Sequence, residues 1–162
     1  MNFLTFGFLD TFDLAASLKP RLHLFPPANE EGQRILNIRW PNAEGGWTVR
    51  KDASRTHWVE LHNTLSRIQR LGNQFERGRI WMEVLEPGAR LNWQHEESNG
   101  YSRLHLPLRT NPAAIVIAGI EARHLLPGTL TVIPTSGWCA VNLGEWARVH
   151  LCVEFKQKEQ QP

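Results

Sequence analysis

The chain has 162 residues, of which 41% are hydrophobic and 21% charged, with a net charge of +2. This size is sufficient for one domain with a stable core, and so weak a positive charge does not favour nucleic acid as a partner. The sequence contains no run of about 18 apolar residues that would cross a membrane and no basic segment typical of a signal peptide. Because two cysteines are too few to predict a disulfide framework, we expect a reduced, cytoplasmic setting.

The first 75 residues predict a mixed α/β lead-in. LDTFDLAASL predicts a short helix that ends at Lys19, because a residue before proline avoids the helical region. RILNIRW and WTVR predict strands on either side of a turn. DASRTHWVELHNTLSRIQRL predicts the longest helix, since apolar residues recur every three or four positions, with Ser54 as its N-cap and Gly72 as its end.

From Gly78 onward, eight short segments have strand character and are separated by turn signals such as Pro87-Gly88. These segments are RIWMEVLE, ARLNWQ, YSRLHLPL, AAIVIAG, IEARHLL, TLTVIP, WCAVN and ARVHLCVEF. Eight strands after a helical lead-in favour a mainly β, double-sheet jelly roll. We predict one domain over residues 1–162, with the lead-in at 1–75 and the jelly-roll core at 76–156.

Side-chain alternation along two of these strands separates polar from apolar residues. In RLHLPL, Arg103 and His105 share one face and the leucines share the other. In ARVHLCVEF, Arg148, His150 and Cys152 lie opposite an aliphatic stripe. One interpretation is that both polar faces point into water. The other is that they line the mouth of a barrel, where paired guanidinium groups would bind a carboxylate.

The segment WQHEES contains a possible metal-binding pair. His95 and Glu97 are two residues apart at the end of a predicted strand, so they project to the same face. Together with a distant third ligand, this is the spacing of a two-histidine-one-carboxylate site for Fe(II). The same short pattern also occurs on ordinary surfaces, and the two interpretations stay open at this point.

Two longer segments carry a family resemblance. EPGARLNWQHEESNGYSRLHLPLRTNP and PGTLTVIPTSGWCAVNLGEWARVHLCVEF resemble the aspartyl/asparaginyl β-hydroxylase family, over roughly residues 79–155. The bacterial branch that acts on free amino acids, such as proline hydroxylases, is the most similar. The resemblance implies a double-stranded β-helix, which is a cupin-like jelly roll, and an oxidoreductase that uses Fe(II) and 2-oxoglutarate.

The resemblance also implies a metal site. His95 corresponds to the first iron-binding histidine, and Glu97 stands where many members have an aspartate. Where the family's distal histidine is expected, this sequence has Cys139. Cys139 would then ligate Fe(II) or Zn as a thiolate, or His150 or His124 would supply the ligand instead. The third alternative is a site without metal, in which Cys139 is a small buried residue.

For 2-oxoglutarate, the resemblance implies that Arg103 and His105 help to hold the cosubstrate and that Arg148 anchors its distal carboxylate. The residues predicted to border the substrate pocket are Trp93, Tyr101, Trp138, Asn142 and His150.

We therefore predict a dioxygenase that oxidises a small molecule such as an amino acid, with neither nucleic acid nor membrane as a partner. The alternatives are a metal-free carboxylate-binding barrel and a cupin-like metalloenzyme that does not use 2-oxoglutarate.

Overall fold

The computed structural model describes residues 3–44, 46–54, 58–71, 75–95, 100–134 and 136–157, with backbone alone at positions 75, 95, 136 and 157. The elements of the lead-in are β1 (Leu4–Phe8), α1 (Phe12–Leu18), a 3₁₀ helix (Lys19–Leu24), β2 (Gln33–Pro41), β3 (Trp47–Val49), a second 3₁₀ helix (Lys51–Ala53) and α2 (Val59–Leu71). Among these described residues, neither helix has the length and hydropathy needed to cross a bilayer.

Both predicted helices are present, with different starts. After α1 the chain continues as a 3₁₀ helix, which accepts Pro20 because proline sits in its first turn. The longer helix begins only at Val59, so the prediction of Ser54 as its N-cap is wrong. Ser54 instead follows the second 3₁₀ helix in an extended conformation. The helix ends at Leu71, directly before the predicted stop at Gly72.

All eight predicted strands of the second half are confirmed. They are β4 (Phe75–Leu85), β5 (Arg90–His95), β6 (Ser102–Arg109), β7 (Ala114–Ala118), β8 (Glu121–Arg123), β9 (Thr129–Ile133), β10 (Ser136–Asn142) and β11 (Arg148–Gln157).

The strands form two antiparallel sheets, which confirms the predicted jelly roll. The larger sheet has the order β1-β9-β6-β11-β4-β2-β3, and the smaller has the order β5-β10-β7-β8. The strands from the lead-in extend the larger sheet at both edges. Consecutive core strands alternate between the sheets in part, as expected when an antiparallel chain closes into a double-sheet barrel.

Two apolar clusters hold the layers together. The first lies between the outer face of the larger sheet and the two helices, where Trp58, Leu61 and Leu14 meet strand residues such as Met82 and Leu106. The second lies between the two sheets and is lined by residues that include Leu85, Leu91, Val116, Ile133, Trp138 and Ala140. The inner strands of the larger sheet are therefore covered on their outer face by helices, which leaves the inner face to form the barrel interior.

Candidate functional site

A polar stripe crosses the inner face of the larger sheet, opposite the helix-covered side. Neighbouring strands β4, β11 and β6 contribute it, and its members are Glu83, Arg103, His105, Arg148, His150 and Cys152. Arg103 is 4% exposed and His105 is fully buried. The interpretation that these faces point into water is therefore wrong, and the polar residues lie inside the barrel.

A buried ion pair joins Arg148 to Glu83 within the stripe. Arg148 Nη2 donates to Glu83 Oε1, and the two residues are 1% and 3% exposed. Glu83 Oε2 accepts a further hydrogen bond from Gln33 Nε2 at 3.1 Å. Sequence reasoning missed Glu83, although the alternation in RIWMEVLE places it opposite the buried Met82 and Val84.

A second pair involves Arg103. Its Nη2 lies 3.5 Å from Glu154 Oε1, and its guanidinium stacks 4.9 Å from the centre of the Trp81 ring. Glu154 is at the more accessible end of β11, and its side chain is only partly buried. Arg103 is thus held by its own neighbours at one end of the stripe, while Arg148 lies deeper.

Two histidines and a cysteine form a contact cluster in the centre of the stripe. The Nδ1 atoms of His105 and His150 are 3.4 Å apart, and Cys152 Sγ lies 3.5 Å from His105 Nδ1. Trp138, from the opposite sheet, meets the His105 ring edge-on, with ring centres 5.6 Å apart. The cluster therefore bridges the two sheets.

Burial keeps this cluster uncharged. It lowers the pKa of His105 and His150 well below 6.5, and the charge of Arg148 acts in the same direction on both. Burial also raises the pKa of the Cys152 thiol well above 9.0, to which the charge of Glu83 adds. Near neutral pH, both imidazoles and the thiol are neutral.

Several nitrogen atoms around the cluster find no hydrogen-bond partner among the described residues. They are Arg148 Nε and Nη1, Trp138 Nε1, and Nε2 of His105 and His150. In the contact between the two neutral rings one Nδ1 donates and the other accepts, so one of the Nε2 atoms is a donor and the other an acceptor. Four of the five nitrogens therefore donate, and an acceptor-rich group, such as a carboxylate, is the complement of this interior.

We expect the free energy of unfolding to decrease as the pH falls below about 6.5. The unfolded chain protonates both histidines near their ordinary pKa of 6.5, whereas the folded protein does so only at lower pH. Because the unfolded state then binds more protons, each histidine removes about 1.4 kcal/mol per pH unit, from about pH 6.5 down to its depressed folded pKa. Urea denaturation at a series of pH values measures this slope.

The matched variants for this measurement are His150→Gln and His23→Gln. His150→Gln removes one buried titrating group and should make the slope clearly shallower. His23 is exposed, and its variant is the control because it keeps both buried histidines. A slope that is identical in wild type and His150→Gln would contradict the assignment.

Cys139 does not reach this interior. On β10, Trp138 and Ala140 belong to the apolar cluster between the sheets, and Cys139 between them projects to the opposite, outer face. Partial burial raises the pKa of its thiol, with Arg90 opposing the shift, and it is a free thiol. The described structure therefore gives no support to Cys139 as a ligand of an interior metal, because the side chain that β10 turns inward is Trp138.

The other two predicted metal ligands are His95 and Glu97. The side chain of His95 and the whole of Glu97 lie outside the described residues. Among the residues that are described, no three His, Cys, Asp or Glu side chains come together in a way that could hold a metal ion. The described part of the interior thus offers hydrogen-bond donors suited to a carboxylate but does not supply a complete iron centre.

Two of the predicted pocket residues lie away from the stripe. Trp93 is 49% exposed on β5. Tyr101 packs at the far end of the strands, where a side chain at Gly78 would collide with its ring and where Lys156 Nζ lies 5.4 Å from the ring centre.

Asn142 is buried but serves the loop after β10. Its Nδ2 donates to the carbonyl oxygens of Leu85 and Trp146, at 2.8 and 3.0 Å, and its Oδ1 accepts from Asn111 Nδ2 at 3.0 Å. Any side chain at Gly144 would collide with Asn111. Asn142 therefore has its hydrogen bonds satisfied within the protein, and only Trp138 and His150 of the predicted pocket residues face the interior.

The family follows from a comparison with protein-family models. Residues 45–158 match the model described as Aspartyl/Asparaginyl beta-hydroxylase, which is more than half of the chain. The chain belongs to the aspartyl/asparaginyl β-hydroxylase family. This confirms the resemblance found in the sequence. No curated protein matches this family member at a significant level.

Solved structures show the fold. An oxidoreductase of the 2OG-Fe(II) oxygenase family from Burkholderia pseudomallei has a TM-score of 0.67 at 12% identity, over 95% of this chain and 84% of that one. A Pseudomonas putida prolyl-4-hydroxylase has a TM-score of 0.58 at 17% identity, over 97% and 93%. HygX from Streptomyces hygroscopicus, solved with nickel and 2-oxoglutarate bound, has a TM-score of 0.59 at 10% identity, over 98% and 85%. This β-hydroxylase family member therefore has the jelly-roll fold of 2OG-Fe(II) oxygenases.

Proposed function

We propose that the interior between the two sheets binds 2-oxoglutarate or another small dicarboxylate. The observation that carries this proposal is the excess of N–H donors on Arg148, Trp138 and one of the two histidines that find no partner among the described residues. A buried donor without a partner costs about 1–3 kcal/mol, and carboxylate oxygens would satisfy several such donors together. The shared fold adds support, since HygX, which has this fold, is a protein solved with 2-oxoglutarate bound.

Each residue has a distinct part in this binding. Arg148 holds one carboxylate of the ligand through Nη2, which Glu83 contacts in the unliganded protein, together with the adjacent Nε or Nη1, and Trp138 Nε1 donates to a further oxygen. The apolar residues around them, such as Leu85 and Ile133, keep water away, and every hydrogen bond to the ligand is stronger in such a low-dielectric setting. His105 is fixed between Cys152 and Trp138, so its Nε2 is presented in a defined direction.

A second candidate function is the oxidation of a small molecule, such as an amino acid, with Fe(II) and 2-oxoglutarate. Membership of the β-hydroxylase family favours it. In such enzymes the metal and cosubstrate supply the oxidising chemistry, and the protein supplies binding and orientation. Since Cys139 faces outward and Trp138 fills the interior beside His105, this candidate depends on His95 and Glu97. Without them, the metal-free carboxylate-binding barrel is what the described residues support.

Calorimetric titration of 2-oxoglutarate into the purified protein tests the proposal. One sample is freed of metal with a chelator, and the other is loaded anaerobically with Fe(II). We expect saturable binding to the metal-free protein. Binding that appears only with Fe(II), together with consumption of 2-oxoglutarate in air, would favour the oxygenase candidate. Absence of binding in both samples would reject the proposal.

Replacing Cys139 by alanine should change neither iron uptake nor 2-oxoglutarate affinity, because the thiol projects away from the barrel interior. Iron content after anaerobic loading and desalting, together with the same titration, measures both quantities. His95→Ala is the comparison variant, in which iron uptake should fall if the second candidate is correct. Loss of iron in Cys139→Ala would contradict the position of Cys139 on the outer face.

A further inference from the structure

Glu83 contacts the guanidinium of Arg148, which is the group that the proposed ligand would bind. Pairing of β4 with β11 places Glu83 directly opposite His150, and Arg148 opposite Leu85. The two charged residues are therefore diagonal neighbours on adjacent strands, which is within reach of long side chains. With both almost fully buried, the contact is shielded from solvent and its electrostatic effect is strong.

This pair changes the charge that a ligand meets. A buried guanidinium without a counter-charge is costly, and Glu83 supplies that counter-charge with no ligand present. Glu154, which lies beside the polar stripe, pairs with Arg103 in the same way, so the formal charges of the two arginines and the two glutamates cancel. A dicarboxylate therefore enters an interior with no net formal charge from these four residues. The guanidinium that it approaches, Arg148, already contacts the carboxylate of Glu83.

Gln33 gives the Glu83 carboxylate a second partner. Its Nε2 donates to Glu83 Oε2, whereas Arg148 donates to Oε1. Gln33 is half-buried at the start of β2, near the edge of the interior. A carboxylate that leaves Arg148 can therefore keep one hydrogen bond, which lowers the cost of its displacement.

We infer that Glu83 is an internal competitor for Arg148. It holds the guanidinium in the unliganded protein and lowers the affinity of the interior for dicarboxylates. The inference rests on the proposed function, since it requires that Arg148 binds a carboxylate of the ligand. Glu83 then determines how much free dicarboxylate is needed to occupy the site.

The test is the variant Glu83→Gln, which keeps the shape and the acceptor oxygen but removes the charge. We expect 2-oxoglutarate and succinate to bind roughly tenfold more tightly or better than to wild type, as removal of a nearby like charge predicts. Glu86→Gln is the matched control. Glu86 is a carboxylate on the adjoining turn that pairs with Arg34 at 3.3 Å, and it is one-third exposed, so its variant should bind like wild type.

A thermal measurement covers the case in which Glu83→Gln is too unstable for titration. The rise in Tm on addition of succinate should be larger in this variant than in wild type, because the ligand then replaces the missing counter-charge. Equal or smaller affinity and Tm shift in the variant, with clear binding to wild type, would overturn the inference and leave the proposed function intact. Failure of both proteins to bind either dicarboxylate would reject the proposed function itself.

Discussion

The variant Arg148→Met is expected to lose dicarboxylate binding and to have a free energy of unfolding lower by about 3–5 kcal/mol. Methionine fills a similar volume but leaves the carboxylate of Glu83 buried without its counter-charge. The remaining hydrogen bond from Gln33 is neutral and does not compensate for a buried charge. Urea denaturation near neutral pH measures the stability, and titration with 2-oxoglutarate measures the binding.

The double variant Arg148→Met, Glu83→Leu separates the two effects. Replacing both members of a buried ion pair by apolar residues is often neutral or stabilising, so most of the lost stability should return. Binding should not return, because the guanidinium is still missing. If Arg148→Met were as stable as wild type, the charges could not be paired in a solvent-excluded interior.

Truncation of Trp138 to alanine is expected to cost about 3–5 kcal/mol of stability. Trp138 is among the largest fully buried side chains, and its ring packs both in the apolar cluster between the sheets and against His105. Its removal leaves a cavity that the sheets can close only in part, and it frees the His105 ring to turn. Thermal and urea unfolding measure the loss.

Trp146→Ala is the control for this truncation. Trp146 is 41% exposed, and its Nε1 donates to the carbonyl oxygen of Thr110 at 3.1 Å. Its truncation should therefore be clearly less destabilising than that of Trp138. Equal losses in the two variants would show that Trp138 does not fill the space between the sheets, and the inward orientation of that side chain would have to be abandoned.

Much of the fold could be predicted because local patterns determine it. Each of the eight core strands has a short apolar or alternating run between turn residues, and turn chemistry acts over a few residues. The start of α2 could not be predicted in the same way. Ser54 has the side chain and the extended backbone of an N-cap, but the helix begins only at Val59, directly after the buried Trp58. The type of one side chain therefore does not determine where this helix begins.

In the candidate site, too, local patterns could be predicted, whereas contacts between distant strands could not. Alternation on β6 and β11 correctly placed Arg103, His105, Arg148 and His150 on one face. The partner of Arg148 escaped prediction because Glu83 is 65 residues away in the sequence, and the register of β4 against β11 brings the two together. Such a register is a property of the whole sheet.

The outward direction of Cys139 could not be predicted from the sequence. The family resemblance gave only its position, three residues before Asn142, and on a strand one residue is the difference between the two faces. Gly137 has a φ of +72°, and the pairing of β10 with β5 is irregular at this point. At such a bulge the regular alternation of side chains between the two faces is interrupted, so residue number alone does not predict which face a side chain is on.

Strand β6 has consequences for how this protein tolerates mutation. From Arg103 to Leu108 every side chain is buried, the leucines against the helices and the polar residues inside the barrel. A surface strand has alternate positions that accept almost any polar residue, but this hexapeptide has none. Random substitutions in this hexapeptide will therefore destabilise the protein more often than elsewhere. Neutral substitutions are confined to the flanking residues Ser102 and Arg109. For anyone redesigning the chain, β6 is the part to leave untouched.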